Sequence, residues 1–195
     1  MASKGQPGQR MFVGVVVPDD AIAHLDEFLA PRRGAAEFRW SLAEQYHVTL
    51  AFLPSVPDRK LDDLVERLGR SAARRTSFET RVAGGGAFPN AADSKLLYAG
   101  LELTEDARAE LARAATGARA AATRAGIETD GQRFRPHVTV ARIGRPTDTT
   151  NWVRLLGSYA GPAFTFDRTT LVASYLGEGP RGKPRYEVVE EFPTG

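Results

Sequence analysis

Apolar positions along the chain follow two rhythms, one of period two and one near 3.6, punctuated by proline and glycine. Residues 1–10 are polar and carry glycine, which reads as a disordered arm. Residues 11–17 are nearly all apolar and read as a buried strand. Asp19 is placed to cap a helix running to about Leu29, with Ile22, Leu25, Phe28 and Leu29 on one face and Pro31 beyond its end. Residues 46–52 read as a strand that Pro54 stops. Residues 58–74 read as an amphipathic helix with Leu61, Leu64, Val65 and Leu68 inward. Residues 78–82 read as a strand, and Gly84-Gly85-Gly86 as the turn after it.

The second half opens with a predicted strand over residues 95–103. Thr104 then caps a long Ala/Arg helix that Gly126 stops. A strand follows over residues 135–142, a loop ended by Pro146, and a short helix over residues 150–159. Two strands close the chain, over residues 164–176 and 185–192, around a loop at 177–184 rich in glycine, proline and basic residues. A weak repeat emerges. Each half runs strand, helix, an arginine-aromatic step (Arg39-Trp40, then Arg133-Phe134) and a His-Val-Thr strand. Strands and helices mix without a regular crossover rhythm, so the predicted class is α+β with mainly antiparallel sheets.

Composition narrows the chemistry. The 195 residues suffice for one domain or two closely packed halves. The chain has no cysteine, which excludes disulfides, thiolate nucleophiles and thiolate metal sites. With 26 basic and 24 acidic side chains, the net charge of +2 implies no strong field for polyanions. Only Lys4, Lys60, Lys95 and Lys183 are lysines; an arginine-rich set suits bidentate phosphate contacts, though an Ala/Arg-rich codon usage explains it as well. No apolar run approaches the roughly 20 residues of a membrane span. Lys4, Arg10, the 11–17 run and Ala21-Ile22-Ala23 resemble the order of a signal peptide. The run is short, however, and Pro18-Asp19-Asp20 follows at once, so we read a strand and expect the cytoplasm as the location.

Two of the three histidines lie in His-Val-Thr followed by an aliphatic residue: His47-Val48-Thr49-Leu50 and His137-Val138-Thr139-Val140. In a strand, residues two apart share a face. His47 and Thr49 therefore point one way, as do His137 and Thr139, while Val48, Leu50, Val138 and Val140 point to the core. If a pseudo-twofold axis relates the halves, two imidazoles and two hydroxyls converge in one cleft. That set suits phosphodiester hydrolysis. One neutral imidazole takes a proton from water, one imidazolium protonates the leaving alkoxide, and the threonines hold phosphate oxygens. No metal or cofactor is called for. The same runs also fit ordinary strands with satisfied histidines, or a metal site whose further ligands no His, Cys or Asp/Glu spacing supplies. His24, beside Asp26 and Glu27 in the first helix, reads as a solvated surface residue.

Two such motifs about 90 residues apart resemble the two-histidine phosphoesterase superfamily, and within it the RNA 2′,3′-cyclic phosphodiesterases, also called 2′-5′ RNA ligases. The likeness extends to Met11-Phe12-Val13, Gly86-Ala87-Phe88-Pro89, Leu97-Tyr98-Ala99-Gly100, Ser174-Tyr175-Leu176 and Arg185-Tyr186-Glu187, and is most specific at 134–142. The segment 41–46 departs from the family pattern in lacking a proline. The resemblance implies a single bilobal domain over residues 11–195, two lobes related by a pseudo-twofold axis with a motif on each side of a cleft. It implies opening of a ribose 2′,3′-cyclic phosphate to the 2′-phosphate: His47 would protonate O3′ and His137 would activate water. Thr49, Thr139 and Arg142 would hold the phosphate, and Phe52 would stack on the base.

Phe52 and Arg142 each lie five positions past their histidine. An odd spacing in a regular strand points to the opposite face, so both roles require a bulge or a strand end in between. Without one, Phe52 is a core residue and Arg142 a solvated one. The expected partners are RNA ends or cyclic nucleotides as substrate, with no membrane contact and a monomeric chain. A binding module of the same shape without turnover, or a phosphodiesterase for another small cyclic phosphate, would use the same residues. Arg181 and Lys183 in the 177–184 loop could reach RNA phosphates, or simply decorate a flexible hairpin.

Overall fold

The computed structural model describes residues 8–195. The first half contributes strand β1 (Gln9–Val16), helix α1 (Asp19–Leu29), the short strand β2 (Arg39–Trp40), strand β3 (His47–Val56) and helix α2 (Leu61–Ala72). The second half contributes β4 (Phe78–Phe88), β5 (Ser94–Glu102), helix α3 (Glu105–Arg124), β6 (Val138–Thr147), helix α4 (Thr150–Gly157) and β7 (Ala160–Phe166). Strands β8 (Arg168–Tyr175) and β9 (Arg185–Pro193) end the chain. The α+β class with antiparallel strands is as expected. The two expected sheets are in fact two halves of one curled sheet, ordered β7-β4-β5-β6-β3-β1-β8-β9, with β2 added on β6.

The halves meet where β3 and β2 pair with β6: β3 through one antiparallel bridge, Val48 to Val138, the central residue of each His-Val-Thr run, and β2 through Arg39 to Arg142 and Trp40 to Ala141. Helices cross between them. Helix α1 leaves β1 yet packs on β7 and β4, and α3 leaves β5 yet packs on β3, with α2 beside it. The exchange adds helix burial to these few strand pairs in tying each lobe to the other.

Local chemistry explains most of the elements. Helix α1 buries Ala21, Leu25 and Leu29, spaced four apart on one stripe, and carries Asp19 and Asp20 at its positive end. Pro18, not Asp19, is its N-cap: proline's fixed φ suits the residue before the first turn, and the Asp20 carboxylate accepts from the Ala21 N–H (2.8 Å). Helix α2 buries Leu64, Leu68 and Ala72 and is preceded by a short 3₁₀ turn over residues 58–60. In α3 the Thr104 hydroxyl accepts from the Ala107 N–H (3.1 Å), as expected of a cap. Its buried face is Leu111 and a run of alanines, which lets the helix lie close to α2 and β3.

Three breakers act differently from expectation. Strand β3 continues past Pro54 to Val56. Its register with β1 slips between Leu53 and Val56, so proline's missing N–H costs no ladder bond. Pro146 is accommodated in β6 in the same way, at a slip between Leu96 and Ser94 of β5. Gly84-Gly85-Gly86 makes no turn but lies inside β4. Gly84 has φ +66°, and the ladder to β5 skips from Val82 to Gly85, as at a bulge. The predicted strand over 164–176 is two strands broken at Asp167. The arm read over 1–10 falls mostly outside the described residues, and Gln9 and Arg10 already belong to β1.

The glycines in β4 are needed for space as well as for conformation. A Cβ on Gly85 would lie 2.5 Å from the Tyr98 carbonyl oxygen and 2.6 Å from Leu156 Cβ of α4. Gly85→Ala is therefore expected to destabilise the fold by about 1–3 kcal/mol, as overpacking does. At this chain length that is a fall in Tm of some 2–4 °C per kcal/mol. Thermal unfolding followed by circular dichroism checks it; an unchanged Tm would mean that β4 and α4 move apart freely.

Candidate active site

Each histidine strand carries a bulge at the same place. Opposite β1, Val13 faces Ala51 and Gly14 faces Thr49, so Leu50 is the extra residue of β3. Opposite β5, Leu97 faces Ala141 and Tyr98 faces Thr139, so Val140 is the extra residue of β6. Leu50 and Ala51 are both buried, and so are Val140 and Ala141. Two successive inward residues shift the alternation by one. Phe52 thereby rejoins the face of His47 and Thr49, and Arg142 that of His137 and Thr139. The register confirms the first placement: Phe52 lies opposite Phe12, whose ring stacks on His47 with centroids 4.3 Å apart.

About the Val48–Val138 bridge, the antiparallel register sets His47 across from Thr139, and Thr49 across from His137. All six residues singled out in the sequence therefore lie on one face around the junction of the lobes. Two small spaces lie elsewhere, one lined by Leu68, Ala72, Ala114 and Ala118, the other beneath Val48 against Phe78, Leu101 and Phe166.

Both imidazoles are held alike. His47 Nδ1–H donates to the Gln45 carbonyl (2.7 Å), and His137 Nδ1–H donates to the Arg135 carbonyl (2.7 Å), in each case two residues back. A carbonyl can only accept, so Nδ1 carries the proton and Nε2 is the exchanging atom. In the neutral ring, His47 Nε2 accepts from the Thr49 hydroxyl (3.1 Å). Each ring also stands between two aromatics. His47 has Phe12 beneath it and the edge of Tyr186 at 5.5 Å; His137 has Phe88 at 5.1 Å and Tyr98 at 5.5 Å. Gly86 leaves room for this wall, since a Cβ there would lie 2.4 Å from the Tyr98 hydroxyl. These four aromatics have no role in the motif reading. The signal that could have found them was present, since all four fall in the segments that carry the family resemblance.

The aromatic walls set the charge state. Burial pushes the His47 imidazole down to about 4, helped by the positive charge of His137 and Arg142 and opposed by the bond to Gln45. His137 is lowered too, by burial first and Arg142 second, against the pull of the Arg135 carbonyl. Both rings are therefore neutral at pH 7 in the free protein. A negative charge placed beside Arg142 would offset it and favour an imidazolium.

The segment before the first motif, where the family proline is absent, is a 3₁₀ turn over residues 43–45 pinned on three sides. Ser41 bonds the second motif through Oγ to the Thr139 carbonyl (3.0 Å). The Gln45 side chain accepts from the Leu42 N–H (3.1 Å) and donates to the Pro184 carbonyl (2.7 Å). Tyr46 is buried, with its hydroxyl accepting from Arg33 (3.0 Å), which also pairs with Asp26. The 177–184 loop is anchored here as well: Lys183 donates to the Trp40 carbonyl. Lys183 is thus committed to the fold, and Arg181 is the exposed basic residue of the loop. His24 is exposed as expected, and its Nδ1 bonds the Tyr159 hydroxyl (3.1 Å), far from the motifs. Among the described residues no group of three or more His, Asp or Glu side chains is placed to hold a metal ion. No helix among them is long and apolar enough to cross a membrane.

A paired-histidine face between two pseudo-symmetric β lobes defines a class, the two-histidine phosphoesterases. Residues 15–98 and 101–181 match the family described as LigT like Phosphoesterase, and the chain belongs to that family. An RNA 2′,3′-cyclic phosphodiesterase of Geobacillus stearothermophilus is 29% identical over 185 residues, 93% of this chain; the match spans 56% of that longer protein. One of Thermus thermophilus is 29% identical over 184 residues, 94% of this chain and 89% of the relative. The crystal structure of E. coli LigT complexed with 3′-AMP superimposes with a TM-score of 0.76 over 97% of this chain and 99% of that one, at 22% identity, a likeness of fold.

The histidine environments are directly testable by NMR titration of the imidazole signals. The His47 midpoint is expected near 4 in the free protein, well below the ordinary 6.5. Saturating inorganic phosphate should move it upward. A midpoint at 6.5 without phosphate would mean that the aromatic wall does not exclude water from the ring.

Proposed function

We propose that this protein hydrolyses 2′,3′-cyclic phosphates at RNA ends, or 2′,3′-cyclic nucleotides, to 2′-phosphates without a metal. The observation that carries this reading is the Val48–Val138 pairing with its two matched bulges, which together leave two imidazoles, two threonines and Arg142 on one face. The curated relatives' names point to the same substrate class. In the proposed reaction the cyclic phosphate lies across the Val48–Val138 junction, with its oxygens on Thr49, Thr139 and Arg142. His137 Nε2 takes a proton from water as its oxygen bonds to phosphorus. His47 Nε2 gives a proton to O3′ as the P–O3′ bond breaks, leaving a 2′-phosphate. Thr49 then has two tasks, holding phosphate and holding Nε2 of the acid.

The depressed imidazoles fit substrate-assisted protonation. With its pKa near 4, only about one His47 in a thousand is charged at pH 7. The phosphate charge raises that fraction when it binds, so the acid is armed mainly in the complex. Phe52, on the same face two residues past the Leu50 bulge, offers its ring to the base. Stacking would hold any nucleobase and select none strongly.

The decisive experiment is an end-group assay with 2′,3′-cyclic AMP and cyclic-phosphate-ended RNA in EDTA. We expect the 2′-phosphate as sole product, and a cost of about 10²–10⁴ in rate for each of His47→Ala and His137→Ala. The double variant should lose much less than the product of the singles, because the pair acts as a unit. The kcat/KM optimum should lie below pH 6.5, following the lowered imidazoles of the free protein, and the kcat optimum higher, since bound phosphate raises them. Loss of activity in EDTA with recovery on adding a divalent ion would refute the mechanism. Near-normal turnover by either variant would favour a binding module that uses the face without chemistry.

Phe52→Ala should raise KM for nucleotide substrates by an amount equivalent to about 1–3 kcal/mol while changing kcat less. Unfolding of the variant, read by circular dichroism, would instead place Phe52 among the core residues.

A further inference from the structure

We propose that Arg10 is a second anion contact of this face, which selects an RNA end over a free cyclic mononucleotide by binding the phosphodiester on the 5′ side of the terminal ribose. This rests on the reading of the site as a binder of 2′,3′-cyclic phosphates. Arg10 lies two residues before Phe12 on β1, and Phe12 is the ring under His47. Two residues of strand span roughly 7 Å. The Arg10 guanidinium lies over the Phe52 ring, 4.2 Å from its centroid. The charge therefore lies against one face of the ring proposed to hold the terminal base, about one nucleotide's reach from the histidine.

The charge is also uncommitted. Two exposed arginines of strands β8 and β9 are neutralised, Arg185 by Glu178 and Glu187 and Arg168 by Asp167 and Glu191. Among the described residues no carboxylate stands within ion-pair distance of Arg10. The side chain is exposed, yet the aromatic face gives it a preferred position. A guanidinium ordered in this way loses less freedom when it forms a bidentate phosphate contact.

The substrate chemistry identifies the anion. With the cyclic phosphate at the histidines and the base at Phe52, the ribose bridges the two. Its 5′ arm is then the point at which the rest of an RNA chain leaves the site. A cyclic mononucleotide ends there in a neutral hydroxyl. An RNA end carries a phosphodiester there, the first negative charge that the polymer adds.

The test compares kcat/KM for 2′,3′-cyclic AMP with that for an ApA dinucleotide ending in the same cyclic phosphate. A third substrate is the same dinucleotide with an uncharged methylphosphonate linkage. The wild-type protein should prefer the charged dinucleotide, mainly through KM, and lose that preference on the methylphosphonate. Arg10→Gln should lower the dinucleotide-to-mononucleotide ratio at least tenfold, and Arg10→Lys should recover part of it. The same ratio is read without turnover as the dissociation constants of the 2′-phosphate-ended dinucleotide and of adenosine 2′-monophosphate. An Arg10-dependent binding ratio with no cleavage of either substrate would sustain this assignment and overturn the hydrolase reading. A ratio that Arg10→Gln leaves unchanged, or a wild-type protein indifferent to the linkage charge, would overturn the assignment itself.

Discussion

One backbone pairing, Val48 with Val138, governs the rest of the molecule. With the short β2–β6 pairing beside it, it joins the two halves of the nine-stranded sheet, and it does so at the middle residue of both His-Val-Thr runs. Because the pairing is antiparallel, it turns two copies of one motif into a face with pseudo-twofold symmetry, each histidine set beside the other motif's threonine. A one-residue slip would send every side chain of one motif to the opposite face. The crossing of α1 and α3 between lobes guards against that slip, because each helix buries its apolar stripe on the lobe its own strand does not build.

The bulges at Leu50 and Val140 do the second part of the work. They let each strand present three polar or aromatic residues to the face while the intervening positions stay in the core. The cost is one residue per strand skipped in the ladder to β1 or β5, and burial of the Leu50 and Val140 side chains offsets it. The same construction dries the imidazoles. Phe12 and Tyr186 on one side, Phe88 and Tyr98 on the other, shield both rings from water, and Arg142 adds positive charge. Low dielectric and a like charge both disfavour the imidazolium, so both rings are held toward the neutral form.

Much of this was legible in residue order. The periods of two and 3.6, the Thr104 cap, the Gly126 stop and the repeated His-Val-Thr run all act within a few residues, and such local chemistry is written directly in the chain. Three of the misreadings share one cause. Pro54, Pro146 and Gly84-Gly85-Gly86 are turn formers by intrinsic preference, yet each lies within a strand. A slipped ladder elsewhere in the sheet removes the penalty, and no local rule sees the partner strand.

The candidate site divides along the same line. Sequence determined which candidate residues share a face, because period-two alternation alone puts His47 with Thr49 and His137 with Thr139. It also posed the difficulty of Phe52 and Arg142, whose odd spacing demands a bulge without saying whether one exists. Only tertiary structure decided that, since a bulge is a mismatch between two strands and neither strand holds it alone. Tertiary structure also decided the protonation of the histidines. An imidazole's charge depends on the rings and guanidinium packed around it, and those come from β1, β4, β5, β6 and β9, brought together only by the fold.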